Sequence, residues 1–375
     1  MAGIYIHIPF CRKACHYCNF HFSTQTQLIE PFVQAVIKEI QLQKEYLKDP
    51  IETIYFGGGT PSLLPVSDIQ KILDQLHHNF EIRPDAEITL EANPDDIEME
   101  KAKQWKAMGV NRLSIGIQSF QQSALTWMNR AHNTQQSHQA IEIAHQVGIT
   151  NLNIDLIYGT PHLTDADLTS DLNIISSYQI PHVSCYALTV EEKTALHKMI
   201  EQQKIENVNV DHQFRHFEIV TEYLTQQGME HYEISNFAMP GHRSRHNSNY
   251  WKGIPYLGLG PSAHSYNETS RQWNVANNVL YMNSLEKNVL AFEMETLPLS
   301  TRYNEYMMVS LRCMEGFDIE KIEEKFGMDF VKHTQAITTE FVQKGQLKKT
   351  ENGYTIAKES RFLADGIAST FFWID

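Results

Sequence analysis

Three cysteines lie close together near the start of the chain, at Cys11, Cys15 and Cys18. Thiolates are the ligands of iron–sulfur clusters. Three of them on one short loop can bind three irons of a [4Fe-4S] cluster and leave the fourth iron open. The alternative is a partial zinc site that uses His7 or His16 as a fourth ligand. Zinc sites usually combine two separated ligand pairs, and the sequence has no second Cys/His pair, so the spacing favours the cluster.

The composition is typical of a globular protein. Of 375 residues, 42% are hydrophobic and 20% are charged, which excludes collagen, coiled coil and bulk disorder. A net charge of −14 argues against a nucleic-acid partner and a basic membrane-binding surface. The sequence contains neither an apolar run of about 20 residues nor a signal-peptide pattern. With an odd count of five cysteines, we expect a cytoplasmic protein in which Cys185 and Cys313 are inert buried thiols.

The elements that must position these residues form a repeating strand–helix pattern. Helical patterns such as 28–46, 67–79, 98–108 and 136–147 separate six short β-branched or aromatic runs. The runs are Ile4–Ile8, Thr53–Phe56, Glu87–Glu91, Arg112–Ile117, Leu152–Ile157 and His182–Ala187. This alternation predicts an α/β fold with a parallel sheet and right-handed crossovers. Periodicity alone leaves a partial barrel and a doubly wound sheet open, and both bind ligands at the carboxyl ends of the strands.

Polar residues and glycines lie in the last part of several of these predicted strands or directly after them. They are Gly57, Gly58, Gly59, Thr60, Glu91, Gln118 and Asp155, with Arg130 one helix further along. A glycine triplet lets a ligand approach the backbone, although alone it is equally typical of a tight turn. Each carboxylate alone could form a salt bridge at the rim of the sheet. Polar groups at several strand ends together predict a binding site at one edge of the sheet.

Two further regions of the chain depart from the strand–helix repeat. We assign residues 1–235 to the α/β domain and 236–296 to an irregular connecting segment rich in Gly, His and aromatic residues. Residues 297–375 combine helical patterns with a hairpin-like piece at 347–356, which predicts a small, mainly helical, winged-helix-like domain.

The C-x3-C-x2-C spacing just past the first strand resembles the radical S-adenosylmethionine (SAM) family. The resemblance implies a partial (β/α)6 TIM-like barrel, a [4Fe-4S] cluster on the three cysteines, and SAM chelated to the open iron. It also implies that Tyr17, just before Cys18, flanks the adenine of SAM.

Further motifs resemble the anaerobic coproporphyrinogen III oxidase group of that family, over nearly the whole chain. They are Tyr5-x-His7-x-Pro9-Phe10-Cys11, Gly57-Gly58-Gly59-Thr60-Pro61, Glu91-Ala92-Asn93-Pro94, Arg112-Leu-Ser-Ile-Gly-Ile-Gln118, Asn153-Ile-Asp155-Leu-Ile-Tyr-Gly159 and Gly258-Leu-Gly260-Pro-Ser262-Ala263. This resemblance places family SAM-contacting positions at Tyr5, Gly58, Gly59, Thr60, Glu91, Gln118, Arg130, Asp155 and Ala187.

The group contains true oxidases and heme chaperones, and local features favour the chaperones. The oxidase pattern continues with a fourth cysteine where this chain has Phe20, and the N-terminal extension of the oxidase does not precede Tyr5 here. The Gly-x-Gly-x-Ser-Ala motif is also followed directly by His264, where the oxidase has an aliphatic residue. Residues 246–251 match the His-Asn-x-x-Tyr-Trp signature of the chaperones, at His246, Asn247, Tyr250 and Trp251.

An imidazole beside aromatic side chains can ligate heme iron, which makes His246 a candidate ligand. The alternative for His246 is a structural, hydrogen-bonded role in an ordinary loop. We therefore expect a heme chaperone that binds heme and passes it to an acceptor, a respiratory hemoprotein. An electron donor is a further expected partner, and peripheral membrane association would occur through the acceptor. The runner-up function is the oxidase itself, and a third is a zinc-stapled binding protein.

Overall fold

In a computed structural model of the chain, which describes residues 1–374, six parallel strands form the centre of a twelve-stranded sheet. The six are β1 (Ala2–Ile8), β2 (Ile51–Gly58), β3 (Ile82–Ala92), β4 (Arg112–Gln118), β5 (Leu152–Tyr158) and β6 (His182–Ala187). They lie side by side in chain order, each parallel to the next. Most of their β-branched and aromatic residues are buried, as expected of strands covered on both faces, whereas Tyr186 of β6 is exposed. The predicted α/β fold with a parallel sheet is confirmed.

Helices connect these strands and cover the sheet. They are α1 (Ile29–Leu42), α2 (Val66–Asn79), α3 (Met99–Ala107), α4 (Gln122–Trp127), α5 (Thr134–Gln146) and α6 (Asp165–Ser177). In α1 the three- and four-residue spacing buries Phe32, Val36 and Ile40 completely. Side-chain caps fix where helices begin: Asn133 and Thr164 each complete a capping box, at α5 and α6. These crossovers bring the carboxyl ends of all six strands to one edge of the sheet.

Further strands extend the sheet beyond β1 and β6, so that these two strands do not pair with each other. After α7 (Ala195–Glu201) and α8 (Val210–Gln226), β7 (Glu230–Glu233) and β8 (Asn236–Ala238) continue the sheet next to β6. At the opposite end β9 (Tyr256–Leu259) runs parallel to β1. An antiparallel series then follows: β10 (His264–Tyr266), β11 (Ser270–Asn274) and β12 (Phe292–Thr296). This open arrangement agrees with the partial barrel that the resemblance implies.

The prediction that residues 236–296 are irregular is wrong. This segment contains β8 to β12 and two helices, α9 (Arg245–Trp251) and α10 (Asn278–Glu286). Its strands have only three to five residues, which is too short for alternation to give a clear signal. What fixes them is pairing with distant residues: Gly3 to Ile6 of β1 pair with Tyr256 to Leu259 of β9.

The C-terminal part has its own core and its own sheet. Its elements are α11 (Leu299–Arg312), β13 (Phe317–Asp318), α12 (Ile319–Phe326), α13 (Met328–Gln343), β14 (Leu347–Lys349), β15 (Gly353–Ile356) and α14 (Ala364–Thr370). The three strands form a separate antiparallel sheet, and a separate apolar cluster runs from Tyr303 to Phe371. Arg312 ties this part to the large sheet by pairing with Glu233 at 3.0 Å. Within the described residues 1–374, no helix combines the length and the apolar character needed to span a membrane.

Candidate cluster and cofactor site

A cavity opens at the edge of the sheet where the parallel strands end. Twelve of the thirteen residues that the sequence assigned to the cluster or to SAM line it: Cys11, Cys15, Tyr17, Cys18, Gly58, Gly59, Thr60, Glu91, Gln118, Arg130, Asp155 and Ala187. They come from the loop after β1, from β2 to β6 or the turns that follow, and, for Arg130, from the connection after α4. Parallel strands with short carboxyl-end connections therefore assemble these residues.

The cysteine loop lies between β1 and α1, and all five cysteines of the chain are free. Its base is closed by two backbone hydrogen bonds, from Ser23 N to Pro9 O at 2.8 Å and from Cys11 N to Ser23 O at 3.0 Å. The three clustered cysteines are partly buried, and burial raises the pKa of Cys11 to about 11. Thiols held together in this way form thiolates when a bound cation compensates their charge.

The glycine turn after β2 touches the cysteine loop so closely that side chains do not fit. A Cβ on Gly59 would lie 2.8 Å from the carbonyl oxygen of Phe10 and 3.0 Å from the sulfur of Cys11. Gly58 has φ +107°, and a Cβ there would lie 2.6 Å from the ring of His7. Glycine is therefore required at both positions, which makes the triplet part of the site rather than an ordinary tight turn.

Two half-buried carboxylates face the cavity from β3 and β5. Glu91 accepts hydrogen bonds from the Tyr55 hydroxyl at 2.8 Å and from the Gly58 N–H at 3.1 Å. Burial, and secondarily the neighbouring Asp155, raise the pKa of Glu91 to about 8. Burial also raises the pKa of Asp155, which Asn153 contacts at 2.7 Å. A pair of half-buried carboxylates is stabilised by a cationic ligand between or beside them.

Arg130 joins several parts of the site, and its shortest hydrogen bonds go to the Gly116 carbonyl oxygen at 2.6 Å and to Asn93. The Nη1 group lies 3.4 Å from both the Cys15 sulfur and the Tyr17 hydroxyl, and Nη2 donates to Asn93 Oδ1 at 2.7 Å. Asn93 also donates to the Thr60 hydroxyl at 3.3 Å. Asn93 belongs to a predicted motif, but this role of its side chain was not predicted. Its position directly after a strand, like that of Gln118, was the available signal.

Two predicted SAM residues have unusual surroundings. Gln118 ends β4 in the left-handed region at φ 71°, where the β4–β5 register shifts. Such a conformation is costly for a residue other than glycine and is typical of functional sites. Tyr5 is the one predicted SAM residue that does not line the cavity, within the described residues. Its ring packs beside Tyr55, and its hydroxyl lies 3.1 Å from Nδ1 of His7.

The predicted heme motif lies elsewhere, in the amino-terminal half of the sheet. His246 is 2% exposed, and its Nδ1 and Nε2 atoms each lie 2.8 Å from a hydroxyl, of Thr53 and Tyr250 respectively. Burial, and secondarily Arg112, lower the pKa of His246 to about 3, so the imidazole is neutral. A neutral imidazole has one donor and one acceptor, and both are used. Neither ring nitrogen is therefore available to heme iron in this conformation.

The other residues of this motif lie on one short helix. Residues 245–251 form helix α9 rather than a loop, and the Asn247 N–H is capped by the Ser244 hydroxyl at 3.2 Å. The Tyr250 ring packs edge-on against Tyr256 at 4.6 Å. Trp251 is the last residue of this helix. In the described part of the chain, none of the four motif residues lines the cavity.

A second group of ligand-type side chains, Asp165, His212 and His216, lies between α6 and α8, and His216 is fully buried. His216 Nδ1 accepts a hydrogen bond from the Gly159 N–H at 3.1 Å, which leaves the ring proton on Nε2, 3.1 Å from Asp165. Arg215 binds the other carboxylate oxygen of Asp165 at 2.8 Å. A ring that must keep its Nε2 proton is a poor metal ligand, so this group locks two helices together.

Comparison with known proteins identifies the group to which the chain belongs. The radical SAM superfamily model matches residues 5–175, and the HemN C-terminal domain model matches residues 297–363. The protein named heme chaperone HemW of Bacillus subtilis is 30% identical over 99% of both chains. HemW of Mycobacterium tuberculosis H37Rv is 32% identical over 98% of this chain and 94% of its own. The chain belongs to the radical SAM family.

The solved structure of coproporphyrinogen III oxidase HemN from Escherichia coli, described as a radical SAM enzyme, has the same fold. It matches with a TM-score of 0.86 over 99% of this chain and 90% of that chain, at 23% sequence identity. Membership of the radical SAM family implies a [4Fe-4S] cluster and SAM. The donor set fits both: three adjacent free thiols, and a glycine backbone at Gly58 and Gly59 that lines the cavity without side chains.

Proposed function

We propose that this radical SAM protein is a heme chaperone, which binds heme and delivers it to an acceptor hemoprotein, with a [4Fe-4S] cluster and SAM at the cavity. The observation that carries the proposal is the similarity along nearly the whole chain to proteins named heme chaperone HemW. Phe20 supports it, because the oxidase pattern has a fourth cysteine at this position. The Phe20 side chain is 64% exposed at the cavity.

Under this proposal some cavity residues hold the cluster, others bind SAM, and aromatic ones contact heme. Cys11, Cys15 and Cys18 hold the cluster. When bound, the cluster and SAM supply the one-electron chemistry that is characteristic of the family.

The remaining cavity residues bind and orient SAM. The backbone of Gly58 to Thr60 approaches the ligand directly, and Glu91 offers a carboxylate to a cationic group. Asp155 is suited to accept a hydrogen bond from a ribose hydroxyl. Arg130 and Gln118 are suited to bind a carboxylate or a ribose.

Heme binding is assigned without His246 as the iron ligand, since both of its ring nitrogens have partners in the core. The cavity itself offers aromatic surface at Phe20, Phe22, Tyr186 and Phe362. Flat aromatic side chains are suited to pack against a porphyrin. The proposal further includes a respiratory hemoprotein as acceptor, an electron donor, and residence in the cytoplasm with membrane association only through the acceptor.

Transfer of heme tests this function. The protein is reconstituted with iron and sulfide without oxygen, loaded with heme, separated from free heme, and mixed with a heme-free b-type hemoprotein. We expect the acceptor spectrum to appear faster than with an equal amount of free heme or of heme-loaded serum albumin. Failure to bind heme, or transfer no faster than from albumin, would contradict the proposal.

A further inference from the structure

Two of the three sulfurs in the cysteine loop have a side-chain hydrogen-bond donor from a distant part of the chain. Cys15 Sγ lies 3.4 Å from the guanidinium of Arg130, and Cys11 Sγ lies 3.5 Å from the hydroxyl of Thr60. Only the Thr60 donor is a neutral hydroxyl that can rotate, so its direction depends on what surrounds it.

Asn93 fixes the direction of that hydroxyl. Its amide oxygen accepts from Arg130 Nη2 at 2.7 Å, which leaves its NH2 group pointing at Thr60. The Asn93 NH2 donates to Thr60 Oγ1 at 3.3 Å. Because the Thr60 oxygen accepts this bond, its own proton is left to point at Cys11. Thr60 is 3% exposed, so water has little access to compete for either bond.

We propose that Thr60 raises the reduction potential of the cluster through its hydrogen bond to Cys11, and that Asn93 is the positioning residue that directs this bond. The inference rests on the cluster of the proposed function. A donor to a cysteine sulfur withdraws negative charge from it, which favours the reduced, more negative state of a cluster. Reduction of the cluster takes up one electron, which the external reductant supplies.

A redox titration with dithionite, followed by the electron paramagnetic resonance of the reduced protein, tests the role of Thr60. The titration is done without SAM, because the Thr60 backbone lies in the predicted SAM cradle. Thr60→Val keeps the side-chain shape and removes the hydroxyl, whereas Thr60→Ser keeps the hydroxyl and is the matched control. We expect a more negative midpoint potential for Thr60→Val, a value near the wild type for Thr60→Ser, and equal iron content in all three.

An unchanged potential in Thr60→Val with full iron content would overturn the inference and leave the proposed function intact. Wild-type protein that binds no iron would instead overturn the proposed function. A second measurement, Raman spectroscopy, can also be made on a variant in which only part of the protein binds the cluster. Transfer into D2O should shift the iron–thiolate bands in the Raman spectrum of the wild type and of Thr60→Ser, and this shift should be smaller in Thr60→Val. Equal shifts in all three would contradict the Thr60 hydrogen bond.

The role of Asn93 is tested by a double-mutant cycle. A carboxylate in Asn93→Asp has no N–H, so the Thr60 hydroxyl should turn towards it and away from Cys11. The added negative charge of Asn93→Asp lowers the reduction potential whether residue 60 is Thr or Val. The further decrease that comes from turning the Thr60 hydroxyl away from Cys11 requires that hydroxyl. We therefore expect Asn93→Asp to lower the potential more in the wild type than in Thr60→Val. Strictly additive shifts would show that Asn93 does not act through Thr60.

Discussion

The two ends of the same parallel strands contain similar residue types but use them differently. At the carboxyl ends, thiols, carboxylates and Arg130 face an open cavity. Towards the amino ends, His246 and Glu87 are completely enclosed, and their hydrogen-bonding atoms are satisfied by neighbouring protein groups. A polar side chain that faces the cavity can still take a ligand, whereas one that is fully paired in the core holds the fold together. The motif alone does not distinguish these cases.

The largest expected effect is at the cysteine loop. Replacing Cys15 by Ala should abolish the cluster, because only two thiolates would remain. Cys185→Ala is the matched control, since Cys185 is buried in the core and does not line the cavity. It should keep full iron content. Iron and sulfide per protein after anaerobic reconstitution measure the effect, and full iron content in Cys15→Ala would place the site elsewhere.

Changes around His246 should affect stability and not heme affinity. His246→Ala removes a buried ring and leaves two hydroxyls without their partner, so we expect a loss of about 2–4 kcal/mol in the free energy of unfolding. Tyr250→Phe removes one hydrogen bond and should cost about 1–2 kcal/mol. Denaturant unfolding measures both. Heme titration of Tyr250→Phe, the milder variant, should match the wild type, and a loss of heme affinity there without loss of stability would restore the motif as a heme site.

The affinity for SAM should depend on pH through Glu91. Burial holds the pKa of Glu91 near 8, so the carboxyl is protonated at neutral pH, and a bound cation favours its ionised form. Binding therefore releases a proton below pH 8. Affinity should rise with pH by up to about tenfold per pH unit until about pH 8 and then level off.

The control for this pH dependence is Glu91→Gln, which cannot ionise. Its affinity should be lower and should change less with pH than that of the wild type, since other groups of the ligand still titrate. Calorimetry in buffers of different ionisation enthalpy also counts the released proton. An identical pH profile in wild type and Glu91→Gln would exclude Glu91 as the responsible group.

The smallest effect is expected at Glu87, on the enclosed side. Its carboxylate accepts the N–H groups of Arg245 and His246 at 3.1 and 3.0 Å, at the start of α9. Glu87→Gln keeps one acceptor oxygen but loses the charge, which should cost about 1 kcal/mol of stability. SAM affinity, measured alongside, should not change. A tenfold change in SAM affinity would show that the two ends of the sheet are coupled.

Much of this architecture follows from the sequence because its signals are local. The six parallel strands and the cysteine loop are specified by runs and spacings within a few residues, and the strands agree with the structure. The pairing of β9 with β1 could not be predicted, because it joins residues about 250 positions apart and β9 has only four residues. The enclosure of His246 likewise depends on partners distant in the sequence, Thr53 and Glu87. Asn93 was missed because its role needs two partners distant in the sequence, Thr60 and Arg130.

The most direct test of the central claim is an anaerobic titration of the reconstituted protein with heme, in parallel with an assay of coproporphyrinogen III and SAM. We predict a stoichiometric heme spectrum and no release of carbon dioxide from coproporphyrinogen III. A protein that forms no heme adduct and releases carbon dioxide in a SAM-dependent reaction would be an oxidase, and the chaperone proposal would be wrong.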